Sequence, residues 1–347
     1  MACFVILSPG FPANENDSTC LPAFQKFVLS LQVEYPNLNL YVITFQYPFE
    51  KKIYQWHGTK VICMGGSNKP GIQRLLNWIR VLFELRRIKK QHTIKGIISL
   101  WLTECALVGK FFSKIHSIKH YMWLIGQDAK QSNQYIKRIR PKANEVIAMS
   151  DFLGESFAKN HGIKPMMVVE NGLWLKDFPK FNSGQRPYDI IGVGSLIALK
   201  NYDLFIEIIA DLKHEFPDIK VGIAGIGELE ASLKEKTAVL SLTNNINFLG
   251  LMEHAQILDL MQNAKIFLHT SEYEGNSTVL MEALYCGCYV FSTQSLSNRI
   301  VENLYIAKNK QTFVKIISDQ LRKKDINYSP VLFNDMRDSV RKIMSLY

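Results

Sequence analysis

Short apolar runs recur along the chain, each closed by turn residues and separated from the next by a helix-length or polar segment. In the first half they occupy residues 3–8, 40–45, 61–64, 96–100, 120–125 and 145–149. Runs this short and this apolar read as buried strands, and their alternation with helical segments implies a mostly parallel sheet. The first run stops at Pro9-Gly10 and Pro12 and gives way to a loop rich in Asn, Asp and Ser. Such a loop sits where ligands bind, which makes Gly10, Asn14 and Glu15 candidate contacts.

Ser150 or Asp151 offers an N-cap to a helix reaching about residue 160, and an apolar run at 166–169 then leads into Glu170-Asn171-Gly172, a tight turn. Residues 178–187 are polar and turn-rich without periodicity, as an interdomain linker would be. Beyond them the pattern restarts. Strands are expected at 189–193, 220–224, 247–249, 265–269 and 289–292, and helices at 202–214, 228–240, 254–263 and 277–286. This regular βα alternation predicts a doubly wound sheet. The division expected is residues 1–180, 181–330, and a final segment 331–347 that crosses back to the first domain.

The 347 residues suit two α/β domains. With 47% apolar and 21% charged residues, the chain reads as globular rather than disordered or fibrous. No stretch offers the roughly 18 uninterrupted apolar residues of a membrane span, and no basic leader precedes the first strand, so the expected location is the cytoplasm. The six cysteines lack zinc spacing and read as reduced structural thiols.

Charge is uneven. Residues 1–187 hold 25 Lys and Arg against 12 Asp and Glu, a net of +13, which leaves −3 for the remainder of the +10 total. A basic half favours an anionic partner, such as a phosphorylated acceptor or an acidic lipid surface, or serves solubility alone. Residues 73–90 set Leu75, Leu76, Trp78, Ile79, Leu82, Phe83 and Leu85 among six Arg and Lys. That pattern reads first as a crossover helix packed on the sheet, and is compatible with a basic helix lying on an anionic membrane. Nothing here indicates a nucleic-acid partner.

Ligands of open parallel sheets bind at the carboxyl ends of the strands, so the turns there carry the chemistry. In Gly192-Val193-Gly194-Ser195-Leu196, followed by Lys200-Asn201, glycine lets backbone approach a ligand and Lys200 can reach a phosphate. Ala224-Gly225-Ile226-Gly227 lacks the third glycine of a dinucleotide fingerprint, which argues against an oxidoreductase and allows a simple tight turn. The most informative stretch runs from Ser271 to Leu284. It places Glu274 in a loop, Gly275, Asn276, Ser277, Thr278 and Val279 at a helix start, and Glu282 two turns on. Amides at that helix end favour a diphosphate, and the two carboxylates can face a sugar and a ribose.

With these motifs in order, and with Asn247-Phe248-Leu249-Gly250 between them, the second half is similar to the nucleotide-binding domain of the retaining glycosyltransferases of family 4. The resemblance implies the GT-B fold, two Rossmann-like domains with mostly parallel sheets facing a central cleft. It implies a nucleotide diphosphate sugar as donor, a saccharide or lipid-linked acceptor on the side of the Gly10, Asn14 and Glu15 loop, and no metal or other cofactor. Carried over, Lys200 neutralises the leaving diphosphate, Glu274 with the adjacent amides holds the sugar, Glu282 binds ribose, Leu251 borders the base, and Gly194, Ser195 and Gly225 line the donor. Two departures stand out. Ser195 replaces a common Arg, and Gln127, followed by Asp128, aligns where relatives place a His. Gln hydrogen-bonds a hydroxyl but carries no proton. A catalytically weak partner subunit that binds nucleotide sugar therefore stands as the alternative to an enzyme of cell-surface polysaccharide biosynthesis.

Overall fold

Strand β1 (Ala2–Gly10) lies at the centre of an eight-stranded sheet, because its residues are apolar on both pleat faces and nearly all buried. The computed structural model describes residues 2–17, 19–182, 184–324 and 326–347. The chain continues through α1 (Pro22–Glu34), β2 (Asn39–Tyr47), β3 (Lys52–Trp56), β4 (Thr59–Cys63), α2 (Ile72–Gln91), β5 (Thr93–Leu100), α3 (Glu104–His116) and β6 (His120–Leu124). After these come α4 (Tyr135–Ile139), β7 (Val146–Ala148), α5 (Asp151–His161) and β8 (Met167–Val168). The sheet order is β3-β4-β2-β1-β5-β6-β7-β8, parallel except for the edge strand β3. That edge is absent from the sequence expectation. It is made by a two-residue turn at His57 and Gly58, both at positive φ, which folds a half-exposed strand back on β4.

Cys3, Val5 and Leu7 face Val81, Leu85 and Ile88 of α2 and Cys105, Val108 and Phe112 of α3. Phe4 on the opposite face meets Tyr347 edge-on at 4.8 Å.

The second unit comprises β9 (Tyr188–Val193), α6 (Tyr202–Lys213), β10 (Val221–Ala224), α7 (Glu230–Val239), β11 (Ile246–Gly250), α8 (His254–Gln262), β12 (Ala264–His269), α9 (Thr278–Tyr285), β13 (Tyr289–Ser292), β14 (Leu304–Ile306) and α10 (Lys310–Leu321). Its strands are all parallel, in the order β11-β10-β9-β12-β13-β14. Ile190 and Ile266 point into one core with α6 and α10, while Ile191 and Phe267 point into the other with α8 and α9.

The two compact units divide after Gly172 and again after Phe333. Residues 178–187, spelled like a linker, therefore lie inside the second unit. Polar spelling misleads here because Arg186 is buried and donates to the carbonyls of Met261, Ala264 and Cys286, while Phe178 packs on Tyr285 at 4.7 Å. Residues Asn334–Tyr347 belong to the first unit, where α11 (Met336–Met344) is held by Arg341 on Glu34 at 2.6 Å and by the Tyr347 hydroxyl on the Ile97 carbonyl at 2.6 Å.

Candidate functional site

In the second unit the chain steps outward from β9 to β10 to β11 and then returns to lay β12 against the other side of β9. The loops after β9 and β12 leave the sheet in opposite directions, opening a crevice at their carboxyl ends. Two bonds couple the loops: the Glu272 amide donates to the Leu199 carbonyl at 3.0 Å, and the Thr270 hydroxyl donates to the Lys200 carbonyl at 3.0 Å. Lys200 ends a short 3₁₀ turn, and Asn201, at φ 50°, redirects the chain and caps α6 by accepting from the Leu204 amide. The Lys200 ammonium thereby reaches Glu274, with Nζ 2.5 Å from Oε1.

Glu274 is four-fifths buried. Burial alone would raise its carboxyl, but a hydrogen bond from His269 and the charge of Lys200 more than offset this and hold it at about 2. His269, the last residue of β12, is itself buried, which pushes its imidazole below the ordinary value despite the pull of Glu274. Its Nδ1 lies 3.0 Å from the Ser292 hydroxyl, and its Nε2 lies 3.0 Å from that of Ser271 and 3.4 Å from Glu274. A neutral ring with its proton on Nε2 serves all three partners.

Gly194 adopts φ 153°, and the turn of Gly225 is laid directly on it. A Cβ at Gly225 would sit 1.9 Å from the Gly194 carbonyl oxygen. Gly227 is pressed against Leu196 in the same way. The Gly225 and Gly227 pair thus lets two loop backbones touch, and the Gly225 amide is taken by the Gly250 carbonyl at 2.8 Å. This gives Gly225 a packing role where the resemblance implied donor contact. Ser195 is exposed at the rim.

Helix α9 begins beside Glu274. Ser277 takes its N-cap position without a side-chain cap, and Gly275, Asn276, Thr278 and Val279 surround that end. The positive end of the helix dipole therefore lies by the Lys200–Glu274 pair. One turn further on, Glu282 receives Nε2 of His254, the first residue of α8, at 2.8 Å. Leu251, after β11, is 77% exposed, and Ile226, after the adjacent β10, is 49% exposed. Two loops of this edge thus end in uncovered apolar side chains.

The first-unit candidates behave differently. Asp128 is buried and accepts from the amides of Leu102 at 2.9 Å, Ile125 at 3.2 Å and Gly126 at 2.7 Å, bracing the exits of β5 and β6. Burial raises its carboxyl, and the amide bonds oppose the rise. Its oxygens are thus spent on backbone, which corrects the catalytic expectation for Asp128, whereas Gln127 beside it is exposed. Asn14 closes an Asx turn on the Asn16 amide, and Glu15 accepts from the His57 amide at 2.7 Å. Gly10 packs on the Cβ of Tyr47.

Residues that the motifs did not single out also gather. His254 and His269 lie outside the motifs, yet each contacts a site glutamate; their positions at the carboxyl edge of the sheet were the available signal. In the first unit, buried Glu104 accepts from Gln46 Nε2 at 2.5 Å and from Trp78 Nε1 at 2.6 Å. Trp101 packs on Phe24, with ring centroids 5.3 Å apart.

Comparisons with known proteins find similarity to glycosyltransferases. The model of the family described as Glycosyl transferases group 1 matches residues 175–323. The chain is 29% identical over 167 residues to the phosphatidylinositol N-acetylglucosaminyltransferase gpi3 subunit of Schizosaccharomyces pombe, covering 47% of this chain and 37% of that one. It is 30% identical over 172 residues to the N-acetylgalactosamine-N,N'-diacetylbacillosaminyl-diphospho-undecaprenol 4-alpha-N-acetylgalactosaminyltransferase of Campylobacter jejuni, covering 47% and 44%. The matches thus span less than half the length of these curated relatives. Among solved structures, HepE of Anabaena in complex with UDP and glucose superposes with a TM-score of 0.67 at 15% identity, over 99% of this chain and 94% of that one. The two α/β units have the GT-B fold of such glycosyltransferases.

Proposed function

We propose that the protein transfers a glycosyl group from a nucleoside diphosphate sugar to a saccharide or lipid-linked acceptor, as a retaining enzyme of family 4 acting in cell-surface polysaccharide synthesis at the inner face of a membrane. The observation that carries this is the Lys200–Glu274 pair at the switch point, beside the start of α9. A diphosphate seated at that helix end meets both the dipole and the Lys200 ammonium, so charge developing on the leaving group is stabilised by fixed groups, and no metal or other cofactor is called for. Glu274 receives hydroxyls of the donor sugar, Glu282 those of ribose, and Leu251 with Ile226 covers the base. The UDP bound in the Anabaena structure favours uridine. The basic first unit takes the acceptor.

In the reaction, the bond from the anomeric carbon to the diphosphate oxygen breaks and the acceptor oxygen bonds to the same face of that carbon. The acceptor's proton passes to the departing phosphate oxygen. Because the diphosphate itself takes the proton, a Gln at position 127 is compatible with turnover.

The test is a thermal-shift screen of nucleoside diphosphates and their sugars, with and without chelator, repeated on Glu282→Ala. At 100 times the dissociation constant a ligand stabilises by about 2.7 kcal/mol. A chelator-insensitive shift that is lost in the variant, followed by transfer with retained anomeric configuration, supports the reading. Absence of a shift with every nucleotide overturns it. Binding without transfer to any saccharide or polyprenyl-diphosphate acceptor would instead identify the nucleotide-binding partner subunit.

A further inference from the structure

Helix α2 carries two apolar faces, and the folded chain uses only one of them. Asn77, Val81, Leu85 and Ile88 are buried against the sheet, which is the ordinary duty of a crossover helix. On the other side Ile72, Leu75, Leu76, Ile79 and Phe83 stay between 40% exposed, at Ile79, and 74% exposed, at Ile72. Their spacing of three and four places them on a single stripe rather than scattering them, and contiguous uncovered apolar surface of this kind marks an interaction site. In the last turns the same stripe continues as Arg86 and Lys90, flanked by Arg80, Arg87 and Lys89, all exposed. Glu84 is the only acidic residue of the helix. The neighbouring helix α3 adds Phe111 and Ile115, both more than half exposed, with Lys114 between them.

We propose that this face of α2 docks on an anionic lipid bilayer, with the Ile72–Phe83 stripe in the acyl boundary and the cations of the following turns on lipid phosphates. An in-plane helix with an apolar stripe and Lys and Arg alongside has the composition that interfacial binding requires, and long cationic side chains reach back to headgroups while their stems stay apolar. Charge selects this occupant over a second copy of the chain. Two such faces brought together would oppose Arg80, Arg86 and Arg87 with cations and a single acid. Helix α2 starts at the carboxyl edge of the first sheet, where its Trp78 donates to Glu104, which also accepts from Gln46. Docking by its first turns therefore brings that edge to the lipid surface, and the link to a lipid-linked acceptor rests on the transfer reading above.

The experiment is flotation of the full chain with vesicles of equimolar phosphatidylglycerol and phosphatidylcholine, and with phosphatidylcholine alone, at low and high salt. Wild type is expected to float with the anionic vesicles and far less with the neutral ones. Each Lys or Arg at an anionic surface contributes about a fivefold factor in partition, so Arg86→Gln/Arg87→Gln should weaken binding by about twenty-five-fold. Leu76→Asp/Phe83→Asp should lose about tenfold or more even at low salt, because apolar burial is removed. Both variants replace exposed side chains, so they should keep the wild-type melting temperature and any nucleotide-induced shift. That retention separates failure of this proposal from failure of the transferase reading. Absence of wild-type binding to anionic vesicles overturns the proposal, as does equal binding by the Leu76/Phe83 variant. Concentration-dependent self-association abolished by the same variants, without vesicle binding, overturns it in favour of a second copy.

Discussion

The Lys200 ammonium lies 2.5 Å from the Glu274 carboxylate across 74 positions of sequence, each residue delivered by the loop after one of two neighbouring parallel strands. In the free protein the cation is therefore already matched by an anion. A donor diphosphate has to share Lys200 with Glu274, while the sugar hydroxyls give Glu274 new donors. Lys200→Ala should lower kcat by about a hundredfold to a thousandfold, the range for removing one preorganised cation or donor from a charge-developing site. Glu274→Gln should bind free nucleoside diphosphate at least as tightly as wild type while losing transfer. Isothermal titration together with a transfer assay checks both.

The pH dependence of stability has a defined sign at Glu274. Its carboxyl sits at about 2 when folded, against an ordinary 4.5, so its contribution is complete above the ordinary value and lost as pH falls through the folded one. Urea melts of wild type and Glu274→Gln should differ by a constant amount above about pH 5 and converge below it, with wild type falling faster.

Glu282 has a partner that sequence alone did not assign, the exposed His254 at 2.8 Å. Replacing the carboxylate by Ala should abolish the nucleoside-dependent part of binding. His254→Ala should weaken binding by about fivefold or less, since a pair whose imidazole is nearly half exposed contributes about 1 kcal/mol at most. Nucleotide titrations of the two variants measure the contrast.

Asp128 should behave as a brace. Asp128→Ala leaves the amides of Leu102, Ile125 and Gly126 without their acceptor and should lower stability by about 3 kcal/mol, with nucleotide binding by the second unit intact. Denaturant midpoints and a thermal shift with nucleotide, measured on one sample, decide this.

Gly225→Ala tests whether the glycine pair serves packing. Its Cβ would fall 1.9 Å from a backbone oxygen that has no rotamer to escape by, and the expected loss is about 3 kcal/mol. Ser195→Ala, at the exposed rim, should be neutral for stability.

The α/β alternation was legible in the sequence because buried parallel strands are short continuous apolar runs and the helices between them keep a 3.6-residue period. The motif loops were legible too, since the strand ends that position them were. The edge strand β3 was not, because a half-exposed strand carries only partial alternation. Nor was the fate of residues 178–187, where Arg186 spells polar but is buried on carbonyls.

By itself, then, the sequence determined the βα alternation of the buried strands, the glycine-bearing turns and the residues that can carry charge at strand ends, since these follow from local periodicity and backbone sterics. Tertiary structure alone decided which of those residues meet. It set Lys200 on Glu274, His254 on Glu282 and His269 between Ser292 and Glu274, and it turned Asp128 inward onto backbone amides. The reason is physical: strand order, not chain order, fixes which loops are neighbours, and because both faces of α2 carry apolar residues, only the sheet decides which of them is covered.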